Sequence, residues 1–347
     1  MNPLFGRFAF ARKRVMTDIV GLDVGGVTTR AVRLKRAGDT ITLVAADLFP
    51  RQVFPALDTE EVRPAPLLLP KPLSALYAAV GVTSPQASIR LLSVPGGAES
   101  LEHLNFNELL GLAEGVEYRI GYEVLSSEGR EQSVLASALL EQQARWAVSL
   151  LPQGVPAVCS LQAGGAAVLN CFARELAAHH GDVPTIFVQV GSAVTDMAVF
   201  FKGRLALYRQ CMMGSQSIIK TVQERFGIEE DLVPGVLEDD LIDASQPIAA
   251  AIEPFLRQLV LAREFVERKR ACRIEKILLC GTLLGNTHWN AHITKTMGIT
   301  PEVWNPLATL PCLPDALSER VKGMESRFAT AVGAALAVLE VDHDLPR

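Results

Sequence analysis

Two stretches of the chain carry the same succession of apolar and polar positions. In the first, the apolar run Ile19–Val24 ends on the loop Gly25-Gly26-Val27-Thr28-Thr29. Ala31–Leu34, a turn at Ala37-Gly38-Asp39 and Thr40–Ala45 follow. In the second, Thr185–Val190 ends on Gly191-Ser192-Ala193-Val194-Thr195, followed by Met197–Phe201, a turn at Lys202-Gly203-Arg204 and Leu205–Arg209. A short apolar run closed by glycines and followed by two more runs around a Gly turn predicts a buried strand leading into a hairpin. Gly25 and Gly191 lie about half the chain apart, so two similar lobes are expected.

Helical periodicity fills much of the rest. Ile252, Phe255, Leu256, Leu259 and Val260 fall on one face of a helix, with Glu253 and Pro254 suited to its first turn. Arg268, Lys269, Arg270 and Arg273 cluster near its end and read as a solvated helix terminus that complements the dipole. Ser137–Leu151 predicts an amphipathic helix with Trp146 and Leu150 inward. Phe328–Val341, with Ala329, Ala331, Gly333, Ala334 and Ala335, predicts a buried helix that another backbone can approach closely. Arg51–Lys71 is proline-rich and reads as a linker or extended loop, and Leu73–Val80 as a short helix. Ala87–Val94, Tyr118–Val124 and Ser133–Ala138 read as strands of a small insertion, with room at Leu104–Ala113 for one short helix.

The resulting division is a flexible basic tail (1–17), the start of a first lobe (18–87), an inserted subdomain (88–140), completion of the first lobe with an interlobe helix (141–183), a second lobe (184–340) and a short tail (341–347).

Composition narrows the classes. The 347 residues are 49% hydrophobic with a mean hydropathy of +0.24. Even so, the longest apolar stretch, Phe328–Val341, falls short of the ~20 residues a spanning helix needs. A net charge of −5 offers no general attraction to a phosphate backbone. Six cysteines without paired spacing, several in apolar runs, read as buried free thiols in a reducing compartment. Arg7, Arg12, Lys13 and Arg14 among Phe5, Phe8 and Phe10 read as a frayed terminus rather than a membrane-surface anchor.

The two Gly loops are where chemistry is expected. Glycines at the end of a buried strand let backbone amides approach a phosphate, Thr28 adds a hydroxyl, and Asp23 is placed to hold Mg²⁺ through water. A tight hairpin whose Asp caps its own loop would look the same. Two such loops facing each other across a cleft form the phosphate clamp of actin-like ATPases and sugar kinases. Over about residues 18–340 the chain resembles one branch of that superfamily, the PilM family of cytoplasmic actin-like proteins of type IV pilus assembly. Gly21–Gly25 with Thr28–Val32 is similar to that family's first phosphate motif, and Val188–Ser192 with Thr195-Asp196 to its second. Gly203–Leu205 and Met213–Gln216 resemble the hairpin and next helix start. Lys276–Gly281 is similar to the adenosine motif, Met297–Ile299 with Val303 and Asn305-Pro306 to the segment after it, and Ala329–Ala335 to the closing helix.

The resemblance implies an α/β, actin-like ATPase (ribonuclease H-like) two-lobed fold with a small inserted α+β subdomain. It implies an ATP and Mg²⁺ cleft lined by Asp23, Gly25, Gly26, Thr28, Gly191, Ser192, Thr195 and Gly281, with Asp23 on the metal. It also implies a partner: the short cytoplasmic N-terminal tail of a bitopic inner-membrane pilus or secretion protein, bound at the cytoplasmic face. A homo-oligomer is compatible with it.

Departures from the motifs shape the functional expectation. Gln189 stands where the second loop normally opens with an acid, and an amide cannot serve as a carboxylate base. Gly281 is followed by Thr282, Leu283 and Leu284 rather than glycines, and Val27 replaces a hydroxyl residue. The expectation is therefore a scaffold of a type IV pilus-like or type II secretion-like assembly with a degraded nucleotide site and no catalytic residue. The alternative is an active ATPase or small-molecule kinase, which needs another carboxylate, with Asp196 as the candidate. His179-His180, the trio Cys280, His288 and His292, and Cys159-Ser160 carry no recognisable site.

Overall fold

The computed structural model describes residues 16–340 apart from 53, 55–63, 96–100, 102, 129, 130, 240 and 285. The expected tails, 1–17 and 341–347, thus lie almost wholly outside the described residues, as does part of the proline-rich segment. β1 (Asp18–Val24), β2 (Thr29–Ala37) and β3 (Thr40–Phe49) form an antiparallel meander, and β4 (Tyr77–Val82) joins β1 in parallel. The chain then leaves for a separate antiparallel sheet of β5 (Ser88–Pro95), β6 (Tyr118–Glu128) and β7 (Glu131–Leu140), ordered β5-β7-β6. A short helix, α1 (Phe106–Leu110), lies between β5 and β6. β8 (Ala157–Ala163) returns parallel to β4 and completes a five-stranded sheet, β3-β2-β1-β4-β8.

The second half repeats the plan. β9 (Thr185–Val190), β10 (Thr195–Phe201) and β11 (Arg204–Cys211) form the meander, and β12 (Lys276–Gly281) and β13 (Glu302–Val303) add in parallel. The order β11-β10-β9-β12-β13 matches the first sheet strand for strand. The repeated hydrophobic pattern in the two halves is thus the imprint of one topology used twice.

Three segments depart from the pattern-based expectation. Leu73–Val80 is not a helix: a 3₁₀ turn over Lys71–Leu73 leads into β4. Ala78, Ala79, Val80 and Val82 are all buried, and an inner parallel strand covered on both faces has no period-two signal to read. Ser137–Leu140 belongs to β7, and the helix α2 (Glu141–Ser149) starts only afterwards; Trp146 and Leu150 are buried as expected. The long second-lobe helix, numbered α6 below, begins at Ser245, which puts Pro254 in its interior. The ring removes one backbone donor, but Ile248, Ile252, Phe255, Leu259, Ala262 and Val266 are buried along the helix and hold it in place.

The second sheet sorts its side chains by parity. Ile186, Val188, Val190, Met197, Val199, Ile277 and Leu279 face a core with α4 (Ser215–Phe226), α5 (Val233–Glu238), α6 (Ser245–Arg270) and α7 (Thr287–Met297). Phe187, Ala198, Phe200, Leu278 and Cys280 face the other way, into a core shared with the first sheet. Two helices fill that shared layer: α3 (Gly164–Glu175) and α8 (Ala329–Leu339). Phe172 of α3 stacks on Phe187 at 4.0 Å and meets Phe200 at 5.0 Å and Trp304 at 5.6 Å.

Small residues set how close the layers lie. A Cβ on Gly333 would fall 1.8 Å from the Ala167 carbonyl oxygen, and one on Gly21 would fall 2.1 Å from that of Ala331. Farther out, residues 311–318 run along the outer edge of β3. The Leu43 amide donates to Pro311 O (2.8 Å) and the Ala46 amide to Ala316 O (2.7 Å). The stretch 184–340 therefore supplies the second sheet and also the last helix and edge cover of the first. No helix among the described residues is long and apolar enough to cross a membrane.

Gly333→Ala should lower stability in guanidinium unfolding by about 2 kcal/mol or more, since backbone atoms on both sides must move. Gly235→Ala, in α5 where a Cβ would meet nothing within 4 Å, should be neutral or stabilising by up to about 1 kcal/mol.

Candidate functional site

The β1–β2 and β9–β10 turns face each other where the sheets converge. Asp23 is the last polar residue of β1, and the hairpin register sets Arg30 of β2 directly opposite it. Arg30 Nη1 donates to Asp23 Oδ2 at 2.8 Å, and Thr83 Oγ1, just past β4, donates to Asp23 Oδ1 at 2.9 Å. Asp23 is 2% exposed and Arg30 8%. Burial pushes the Asp23 carboxyl above its usual range, while the Arg30 charge and the hydrogen bonds from Arg30 and Thr83 pull the other way. Gly25, at φ 101°, packs so tightly that a Cβ would lie 2.1 Å from Thr83 O and 2.6 Å from the Phe54 ring.

The second loop is closed by its own backbone. The Gly191 amide donates to Val194 O at 2.9 Å. The carbonyls of Gly191 and Ser192 accept from the Ser215 and Gln216 amides of α4's first turn, both at 2.9 Å. Those amides are the ones a helix N-terminus would offer an anion, and here the loop takes them. Thr195 is fully buried, and its hydroxyl donates to Met213 O at 2.7 Å. Gly281, at φ 112°, leaves no room for a Cβ, which would sit 2.1 Å from Val190 O. Leu283 and Leu284 are buried in the second-lobe core.

Two contacts bridge the lobes at this point. Gln189 Nε2 donates to Thr330 Oγ1 of α8 at 2.9 Å, and Ser326 Oγ donates to Gly281 O at 3.3 Å. Between them remains a cleft of about 20 Å³, whose walls include Asp23, Gly26, Val27, Arg30, Gln189 and Ser192. Val190, Gly191, Gly281, Thr83, Thr282 and Arg327 complete it. Of the residues expected at the site, Asp23, Gly26, Gly191, Ser192 and Gly281 are thus brought together; Gly25, Thr28 and Thr195 are not among the lining. Thr83 and Arg327 carry no signal in the pattern, Arg30 enters only as part of the first motif, and Thr282 only as a departure from the glycine run. Arg30 was legible in principle, because counting back across the β1–β2 turn pairs it with Asp23.

In the closed arrangement of this structure the cleft leaves no space for a magnesium nucleotide. Both Asp23 oxygens are already engaged, and small-molecule pockets run to roughly 300–1,000 Å³, whereas this cleft has room for about one water. Buried Arg30 Nε and Gln189 Oε1 have no hydrogen-bond partner, so the remaining space is polar.

Asp196, the alternative acid, pairs with Gln189 across β9 and β10, which sets both side chains on the face toward the first lobe. Its Oδ1 accepts from Tyr208 Oη at 2.5 Å and from Gln210 Nε2 at 3.4 Å. A Cβ on Gly165 of α3 would lie 2.8 Å from it. Burial lifts its pKa to about 6 against those hydrogen bonds. Asp196 is therefore an interlobe packing group held by Tyr208 and lies outside the cleft lining. Elsewhere, His288 Nε2 lies 3.6 Å from Asp243 and His292 Nε2 lies 3.0 Å from Ser245 O. Of the cysteines expected to be buried, the structure leaves Cys159 and Cys312 exposed. No cluster of metal ligands occurs among the described residues.

Two five-stranded sheets of identical order around a helix pair, with paired Gly loops at their meeting point, define the actin-like ATPase fold. The chain is similar to a chain of the PilM–PilN type IV pilus biogenesis complex, with TM-score 0.72, 20% identity, and cover of 92% of this chain and 98% of that one. It is similar at longer range to a protein from Bacteroides thetaiotaomicron with actin-like ATPase fold and unknown function (TM-score 0.48, 11% identity, 85% and 93% covered). The archaeal actin homologue Ta0583 is similar at TM-score 0.44 and 12% identity, with 94% and 100% covered. No protein-family model matches the chain, and no curated protein sequence does.

Arg30→Ala leaves Asp23 buried without its cation, and should lower stability by about 3–5 kcal/mol in denaturant titration. Asp196 has a folded pKa above its unfolded value near 3.8, so its favourable contribution is complete at low pH and is lost as pH rises through about 6. The stability of Asp196→Asn relative to wild type should therefore increase between pH ~4 and ~6, by about 2 kcal/mol at ~1.4 kcal/mol per pKa unit. A flat difference over that interval rules the assignment out.

Proposed function

We propose that this chain is a non-hydrolysing scaffold of a type IV pilus-like or type II secretion-like assembly. It works at the cytoplasmic face of the inner membrane, where it binds the short cytoplasmic tail of a bitopic membrane protein. The similarity to a chain of a pilus biogenesis complex supports the setting. The observation that carries the non-enzymatic reading is the self-paired cleft. Asp23 is held by Arg30 and Thr83, and the group facing the other lobe is the Gln189 amide. Loss of charge-stabilising groups from a phosphoryl-transfer site costs orders of magnitude in rate. On this reading Asp23, Gly26, Gly191, Ser192 and Gly281 keep the lobes shut. The peptide would take a groove of about 640 Å³ between β5, β11 and α6, with Arg90, Tyr208, Met212, Met213 and Phe255 among its walls.

Two measurements test this. Calorimetry with ATP and Mg²⁺ should give no hydrolysis; turnover above about 1 per second, a low enzyme rate, makes the chain an ATPase instead. A tail peptide of a single-pass membrane protein encoded nearby should be captured by the wild-type chain, and several-fold less by Met212→Glu. Met212 is 69% exposed, so the change leaves the fold intact.

A further inference from the structure

The inserted sheet ends on β6, which pairs with β7 on one side and with nothing on the other among the described residues. β6 is long and open. Tyr122 is 48% exposed, and Val124 and Leu125 are each 40% exposed. A long edge strand with exposed apolar side chains is a template for pairing with another strand.

The composition of this edge is self-complementary. Laid antiparallel against a copy of itself about Gly121, β6 places Arg119 opposite Glu123 of the second copy, and Glu123 opposite its Arg119. The same register sets Tyr118 opposite Val124 and Ile120 opposite Tyr122. Opposite charges and aromatic–aliphatic pairs at directly facing positions are the stabilising cross-strand combinations. Moving the centre to Glu123 would set that carboxylate against itself. Arg119 holds Glu141 through Nε (3.1 Å) and Nη2 (2.7 Å), which leaves Nη1 to reach outward. Glu123 is exposed and makes no ion pair among the described residues. Gly121, at the centre, has no reason within its own chain: its φ is ordinary and a Cβ there would meet nothing within 4 Å. A glycine inside a strand often marks a bulge, a bend or a close approach of another backbone. The bulge between Val124 and Ser126 ends the straight part of the edge just beyond this register.

We infer that β6 is a homodimer interface, in which two copies pair antiparallel about Gly121 to give a continuous six-stranded sheet across the inserted subdomains. The pairing is independent of any nucleotide and of the proposed tail groove.

Sedimentation velocity on the full chain across the micromolar range tests it, with circular dichroism to check folding. The wild type should sediment as a concentration-dependent dimer. Glu123→Arg should abolish the dimer by setting Arg119 against a new cation, and Arg119→Glu should do so by setting two acids face to face. The double change R119E/E123R should restore it. A wild-type monomer at all concentrations, a dimer that survives Glu123→Arg, or a charge-swapped chain that stays monomeric each overturns the pairing.

Discussion

Everything in the molecule hangs on how closely two small-residue helices cross between two sheets. Gly333 of α8 rests against the Ala167 carbonyl of α3, with no space for a methyl group. That distance sets the spacing of the layers and lets Phe172 reach the ring of Phe187 in the second sheet. It also decides the cleft. Thr330 lies one helical turn before Gly333, so the depth to which α8 sinks is what brings its hydroxyl to Gln189. The closed state of the site is thus a packing result, transmitted along one helix.

Electrostatics inside that packing are settled locally. Taking a carboxylate and a guanidinium out of water is costly unless each finds the other and its remaining hydrogen bonds. Asp23 meets both conditions, through Arg30 and Thr83. Burial raises the pKa of both acids, but Asp196 meets only part of these conditions: Tyr208 and Gln210 donate to it, and no cation among the described residues is paired with it. The two acids at the meeting of the lobes therefore differ in their partners, one paired with a guanidinium and one held by neutral donors.

Much of the architecture was readable from the residue order. The two meanders announced themselves because their strands are bounded by Gly turns and recur in the same succession half a chain apart. The Ala/Gly helix at the end was evident because its small residues have no other use. What escaped was β4, whose burial on both faces erases the alternation that marks a strand. With it went Thr83, which β4 delivers to Asp23. The start of α6 was misplaced because Pro254 suits a first turn, and only tertiary burial of Ile248 and Ile252 shows that the helix continues past it. At the site, the glycines were legible as tight backbone positions. Their cause, close contacts such as Gly281 against Val190 O and Gly25 against Thr83 O, is tertiary and invisible in spacing. The ion pair of Asp23 with Arg30 was within reach, since counting across the β1–β2 turn sets the two opposite each other.

The return of residues 311–339 to the first lobe has a consequence for how the protein is made. The first sheet is synthesised early, yet the segment that covers its β3 edge and one of its covering helices follow more than 250 residues later, at 311–318 and 329–339. A nascent chain carrying only the first half exposes a bare strand edge and an uncovered apolar face, both invitations to wrong pairing. Closing the first lobe therefore needs contacts between residues hundreds of positions apart, the kind that forms slowly.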